Sequence, residues 1–153
     1  MTLYLVQHAR AKSKEEDRDR PLTDEGRRET EAVMLLMMRF GVITASRVVH
    51  SGKRRALETA EIIATKLEAE VEESDGLEPD AGPAVWAERL RDSTRDLVLV
   101  GHLPHLSRLA SLLLCGDPDH VLIEFENAGV VCLNRTESRW SLRWAVTPSI
   151  IQE

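Results

Sequence analysis

Cysteine is scarce in this chain, long apolar runs are missing and positive charge is in deficit; each shortage argues against a class of function. Cys115 and Cys132 are the only cysteines, and they form neither a Cys-x-x-Cys pair nor a spaced ligand set, which argues against redox and zinc chemistry. Each reads instead as a small buried apolar residue. No apolar stretch approaches the roughly 20 residues that cross a bilayer, so no membrane association is expected. With 20 Lys and Arg against 26 Asp and Glu, a net charge of −6, there is little of the basic surface that displaces counterions from nucleic acid. Leu3 to Val6 is too short for a secretory leader and runs straight into His8, so the expected location is the cytoplasm. No internal repeat or low-complexity stretch is present. The remaining composition, 42% hydrophobic and 30% charged, is that of a soluble globular protein, and residues 1–153 are expected to form one domain with a full core.

The apolar pattern alternates between strand and helix signals. Residues 3–7 read as a buried first strand, and a polar loop runs from Lys12 to Arg20. Thr23 is placed to cap a helix with an acidic first turn, and Val33, Leu36, Met37 and Phe40 form its apolar stripe before Gly41 ends it. Val48-Val49 marks a second strand, and Ala56, Ala60, Ile63, Ala64 and Leu67 mark the face of a second helix. A short strand around Val71, a punctuated loop from Leu77 to Gly82 and a helix from about Pro83 to Arg91 follow. Residues 97–100 are continuously apolar, as in a strand covered on both faces. Leu106, Leu109, Ala110 and Leu113 form another helix, stopped by Gly116-Asp117-Pro118. Strands near Val121–Phe125, Gly129–Leu133 and Trp140–Val146 are expected to be antiparallel, with Trp140, Leu142 and Trp144 alternating toward the core. Alternating βα units followed by hairpins predict a three-layer α/β/α sandwich on a mixed, mostly parallel sheet.

Three strand-to-turn junctions carry chemistry. His8 follows the first apolar run, His102 follows Leu97 to Gly101, and Ser51-Gly52-Lys53-Arg54-Arg55 follows Val48-Val49-His50. Side chains just past the carboxyl ends of parallel strands converge on one crevice, so the three segments are expected to meet. Two imidazoles and a guanidinium there make a nucleophile with anion-holding partners, a set suited to phosphoryl transfer.

Leu5-Val6-Gln7-His8-Ala9, Arg20-Pro21-Leu22-Thr23 with Gly26, Ser51 to Thr59, and Gly101-His102-Leu103-Pro104 occur together in an order and spacing that resemble the histidine phosphatase superfamily, most closely its short SixA-like phosphohistidine phosphatase branch. The resemblance implies a phosphoglycerate mutase-like fold without an inserted cap domain. It implies that His8 is the nucleophile that becomes a transient phosphohistidine, that Arg55 and His102 hold the phosphoryl oxygens, and that no metal or other cofactor takes part. The implied substrate is phosphohistidine on a partner protein, either a signalling phosphotransfer domain or a sugar-transport phosphocarrier.

The chain departs from the family's Arg-His-Gly motif at Gln7-His8-Ala9. Gln7 can donate amide hydrogen bonds to phosphate but brings no charge, and Ala9 lacks the backbone freedom of glycine. Arg10 has two readings, a partial replacement for the missing charge or a solvent-facing loop residue; Arg18, Arg20, Arg27 and Arg28 read as solvated surface. Ser51 is placed either to contact phosphate or to cap the following helix. Glu78 reads first as a loop residue and second as a general acid, because a departing imidazole, with an ordinary pKa of about 6.5, needs little help. Asn127 is a turn residue or an orienting amide, His50 either ends a strand or backs the site, His105 neighbours the pocket, and His120 has no supporting context. Two rival functions stand beside the phosphohistidine reading: a phosphomonoesterase acting on a small metabolite or phosphoserine, and a non-catalytic phosphate or phosphohistidine binder.

Overall fold

Strand alternation decides which side of the sheet each residue serves. The computed structural model describes residues 1–151. Strand β1 (Thr2–Gln7) sends Tyr4 and Val6 to one face and Leu3 and Leu5 to the other, and β4 (Leu97–Gly101) pairs with it in register, Leu3 beside Leu97 and Val6 beside Val100. With β2 (Arg47–His50), β3 (Glu70–Glu73), β5 (Val130–Thr136) and β6 (Arg139–Val146) they form a six-stranded sheet in the order β3-β2-β4-β1-β5-β6. The first four run parallel, while β5 and β6 add an antiparallel hairpin.

Helices cover both faces. On one, α1 (Asp24–Arg39) and α2 (Arg54–Leu67) bring Val33, Met34, Met37, Ala60 and Ile63 against Tyr4, Val6, Val98 and Val100. On the other, α3 (Ala84–Arg91) and α4 (His105–Cys115) bring Trp86, Leu90, Leu106 and Leu109 against Leu3, Leu5 and Leu99. The result is the expected three-layer α/β/α sandwich with a mixed, mostly parallel sheet. No described helix is long and apolar enough to cross a membrane.

Four expectations are corrected. Cys132 is buried as expected, but Cys115, at the end of α4, is exposed. Residues 121–125 form no strand and run as an irregular segment between α4 and β5. Val121 and Leu122 there are exposed, while Ile123 and Phe125 lean on the α3–α4 core. Phe40 leaves the α1 stripe at the helix end and is 67% exposed, with Met34 buried in its stead. The tryptophan alternation is broken by a β-bulge: Cys132 pairs with Trp144 but Leu133 with Leu142, which leaves Arg143 unpaired and reverses the facing of everything before it. Trp144 therefore packs on the α1–α2 face and Trp140 on the α3–α4 face, while Leu142 is 49% exposed.

One close approach anchors the front of the sandwich. Thr23 caps α1 by accepting from the Gly26 N–H, and its own N–H donates to the Arg10 carbonyl at 2.9 Å. The helix thereby sits so near the strand exit that a Cβ on Gly26 would lie 2.3 Å from that carbonyl oxygen. Backbone on both sides leaves little room to yield. Gly26→Ala is expected to lower the unfolding free energy by about 1–3 kcal/mol, seen as a lower urea midpoint with an unchanged slope.

Candidate active site

β2, β4 and β1 are consecutive neighbours in the sheet and run parallel, so their carboxyl ends lie side by side. Ser51, His102 and His8 each follow one of those ends directly, and adjacent strands lie about 4.8 Å apart. The His8 and His102 rings are accordingly 5.0 Å apart between centroids. Ser51 Oγ lies 2.6 Å from His102 Nε2, and more weakly accepts the Lys53 N–H at 3.4 Å. Both readings of Ser51 thus have a contact, the histidine being the closer. Arg55, in the first turn of α2, is half-buried, its Nε has no hydrogen-bond partner among the described residues, and its charge acts on both imidazoles. The three residues expected to meet are brought together.

The nucleophile candidate is held from all sides. The His8 N–H donates to the Gly101 carbonyl at 3.0 Å, continuing the β1–β4 ladder, and its carbonyl accepts from Asn127 Nδ2 at 2.8 Å. Asn127 thus has the orienting role that was one of its two readings. His8 Nδ1 lies 2.8 Å from the Ala9 carbonyl oxygen. A carbonyl only accepts, so Nδ1 carries the proton and the lone pair resides on Nε2. Thr59, fully buried on α2, takes a hydrogen bond from the Ala9 N–H at 3.0 Å and gives one to the Arg55 carbonyl at 2.7 Å. Ala9 is buried at a negative φ, so replacing the motif glycine introduces no left-handed strain there.

Burial and neighbouring cations keep both imidazoles neutral. Desolvation lowers the His8 pKa to about 4, with Arg55 and Arg20 pressing the same way against the Ala9 hydrogen bond. His102, 2% exposed, is lowered to about 3 by burial, then by His8 and Arg55. Burial, and then Arg20, also lowers the Arg55 pKa, though an arginine remains a cation.

The remaining candidates fall around this centre. Gln7 ends β1 with a buried Oε1 that has no hydrogen-bond partner among the described residues. Arg10 lines an open cleft of roughly 370 Å³ with His8, Arg20, Thr23, Glu25 and Asn127, but its Nε is paired with the buried Glu29 at 2.8 Å. Glu78 accepts the Gly76 N–H at 3.0 Å, and its charge acts on His105. His50 ends β2 and accepts the Gly52 N–H at 3.0 Å. His105 is fully buried beside the site, with neither ring nitrogen bonded among the described residues. Sequence reasoning passed over Arg20, whose side chain borders the cleft; its place within a motif-matching segment was the available signal.

The chain is similar to known proteins in sequence and in fold. The family model for the histidine phosphatase superfamily (branch 1) matches residues 3–89. An uncharacterized protein of Picosynechococcus sp. is 32% identical over 147 residues, covering 91% of this chain and 88% of that protein. Among solved structures, the protein histidine phosphatase SixA complexed with tungstate superposes with a TM-score of 0.86 at 21% identity, covering 99% of this chain and all of that one. A mycobacterial glucosyl-3-phosphoglycerate phosphatase complexed with VO3 superposes with a TM-score of 0.72 at 18% identity, covering 94% of this chain and 98% of that one.

The depressed imidazole pKa values set the sign of a pH effect. An unfolded chain takes up these protons near pH 6.5, the folded one only near 4 and 3. In that window the unfolded state binds more protons, so stability should fall as pH drops from about 6.5 toward 4. Between pH 7 and 5 the His102 contribution is on the order of 2 kcal/mol. Urea unfolding at the two pH values should show the loss, and His102→Asn should flatten it. Ring resonances of His8 and His102 that titrate at ordinary histidine values would contradict this account.

Proposed function

The chain belongs to the histidine phosphatase superfamily, a family of phosphatases, and on that premise we propose that it hydrolyses phosphohistidine on a partner protein through a phospho-His8 intermediate. The observation that carries the proposal is the state of His8: a neutral imidazole, pinned through Nδ1 to the Ala9 carbonyl, with its Nε2 lone pair free. Nε2 attacks phosphorus and forms a new P–N bond as the donor's P–N bond breaks. The donor imidazole leaves with the electron pair of that bond and takes a proton. Water then attacks phospho-His8, frees inorganic phosphate and returns the lone pair to Nε2. Arg55 and His102 hold the phosphoryl oxygens, and alignment with charge stabilisation supplies most of the rate.

Two features favour a protein-borne substrate and an imidazole leaving group. The cleft beside His8 is open, and no inserted domain roofs it, so a side chain displayed on another protein can enter. A phosphomonoester needs an acid for its alkoxide, whereas Glu78 is engaged by the Gly76 N–H and its charge acts on His105 rather than on His8 or His102. The expected donors are signalling phosphotransfer domains and sugar-transport phosphocarriers.

Incubation with a phosphohistidine protein and an alkaline quench, which preserves phosphoramidates, should place label on His8 and release phosphate. His8→Ala should give neither, and Arg55→Ala should slow release by about 10- to 100-fold, the equivalent of one hydrogen bond to a charged group. Glu78→Gln should change turnover of this substrate by less than about twofold, since the proposed step asks no acid of it. An intact donor with tungstate still tightly bound would instead identify a phosphate or phosphohistidine binder without turnover.

A further inference from the structure

We propose that Arg20 is the second guanidinium of the phosphoryl site, standing opposite Arg55 and meeting the phosphoryl oxygens from the cleft side. The inference rests on the reading of His8 as the phosphoryl acceptor and assigns the charge that Gln7 does not bring. A phosphoryl group carries close to two negative charges, and Arg55 alone offers one cation. Arg10 is spoken for by the buried Glu29. Arg20 is not: it forms no ion pair among the described residues, and its Nε donates to the Lys12 carbonyl at 2.9 Å. That single bond directs the fork and leaves both terminal nitrogens free. The half-buried side chain borders the same cleft as His8.

The backbone around Arg20 is built to hold it there. Its φ is +49°, a left-handed conformation uncommon for a residue with a side chain, and such outliers cluster at functional sites. The turn is closed by the Arg20 N–H donating to the Asp17 carbonyl at 3.0 Å and the Lys12 N–H donating to the Pro21 carbonyl at 2.8 Å. One residue on, the Leu22 N–H donates to the buried carboxylate of Glu58 at 3.2 Å, and that carboxylate also binds Arg27 and Arg54. A carboxylate on α2, the helix that carries Arg55, therefore fixes the segment that carries Arg20.

Arg20 lines the cleft with His8, where Glu25 also stands, and its charge reaches Arg55 on α2. That charge registers as repulsion on Arg55 and on His8, both of which are made harder to protonate by Arg20. A bound dianion removes that repulsion and pairs with both forks, so binding energy is gained where charge accumulates during transfer.

Calorimetry with tungstate and with inorganic phosphate tests this without requiring turnover. Asparagine tolerates left-handed backbone, so Arg20→Asn removes the charge and spares the turn. Its tungstate affinity should fall by about 10- to 100-fold, while Arg18→Asn, on the exposed outside of the loop, stays within about twofold of the parent. Arg20→Lys keeps the charge but loses the bond to Lys12 and should recover part of the affinity; Gln7→Arg added to Arg20→Asn should recover part as well. Unfolding midpoints for each variant establish that the fold is kept. Equal tungstate binding by Arg20→Asn and the parent, or loss in Arg20→Asn that neither lysine nor Gln7→Arg repairs, overturns the assignment. A parent that binds tungstate with the Arg20 dependence described but never labels His8 overturns the phosphatase reading and leaves the clamp standing; a parent that binds no oxyanion overturns both.

Discussion

An imidazole attacks phosphorus only while it is unprotonated, and the proposed chemistry depends on keeping His8 in that state among cations that an anionic substrate would require. The two demands are served by the same arrangement. Burial disfavours imidazolium, and the guanidinium charges that attract phosphate disfavour it further. Glu25 lines the same cleft, but no carboxylate acts on His8 strongly enough to raise its pKa. The acceptor for Nδ1 is a peptide carbonyl, which orients the ring without adding charge.

Field and fold are separable here. The whole chain carries a net charge of −6, yet its cleft gathers arginine. A local field is set by the charges nearest it, so a surplus of acid elsewhere does not cancel the arginine charge at this mouth. The sheet contributes position: three neighbouring parallel strands end together, and each is followed at once by a polar residue.

The centre of the site was legible because it follows from strand ends. His8 and His102 stand directly after apolar runs whose direction and adjacency the βα alternation implies, and Arg55 opens the next helix. Features that depend on irregular backbone were not legible. The bulge at Arg143 leaves no mark in an alternation that reads unbroken through Trp140, Leu142 and Trp144. Apolar residues 121–125 look like a strand to any local pattern, yet they join neither edge of the sheet, and Ile123 and Phe125 pack on the α3–α4 core instead. Arg20 looks like its exposed neighbours Arg18, Arg27 and Arg28, because a positive φ on a non-glycine residue is a property of loop closure rather than of composition.

The Thr59 hydroxyl joins the strand exit after His8 to the helix turn that bears Arg55, giving to one and receiving from the other. His8 and Arg55 are consequently registered to a common point, since the hydroxyl that receives the N–H beside His8 is bonded to the helix carbonyl of Arg55. A small fold without an inserted cap thus fixes its strand exit against its helix through one buried hydroxyl.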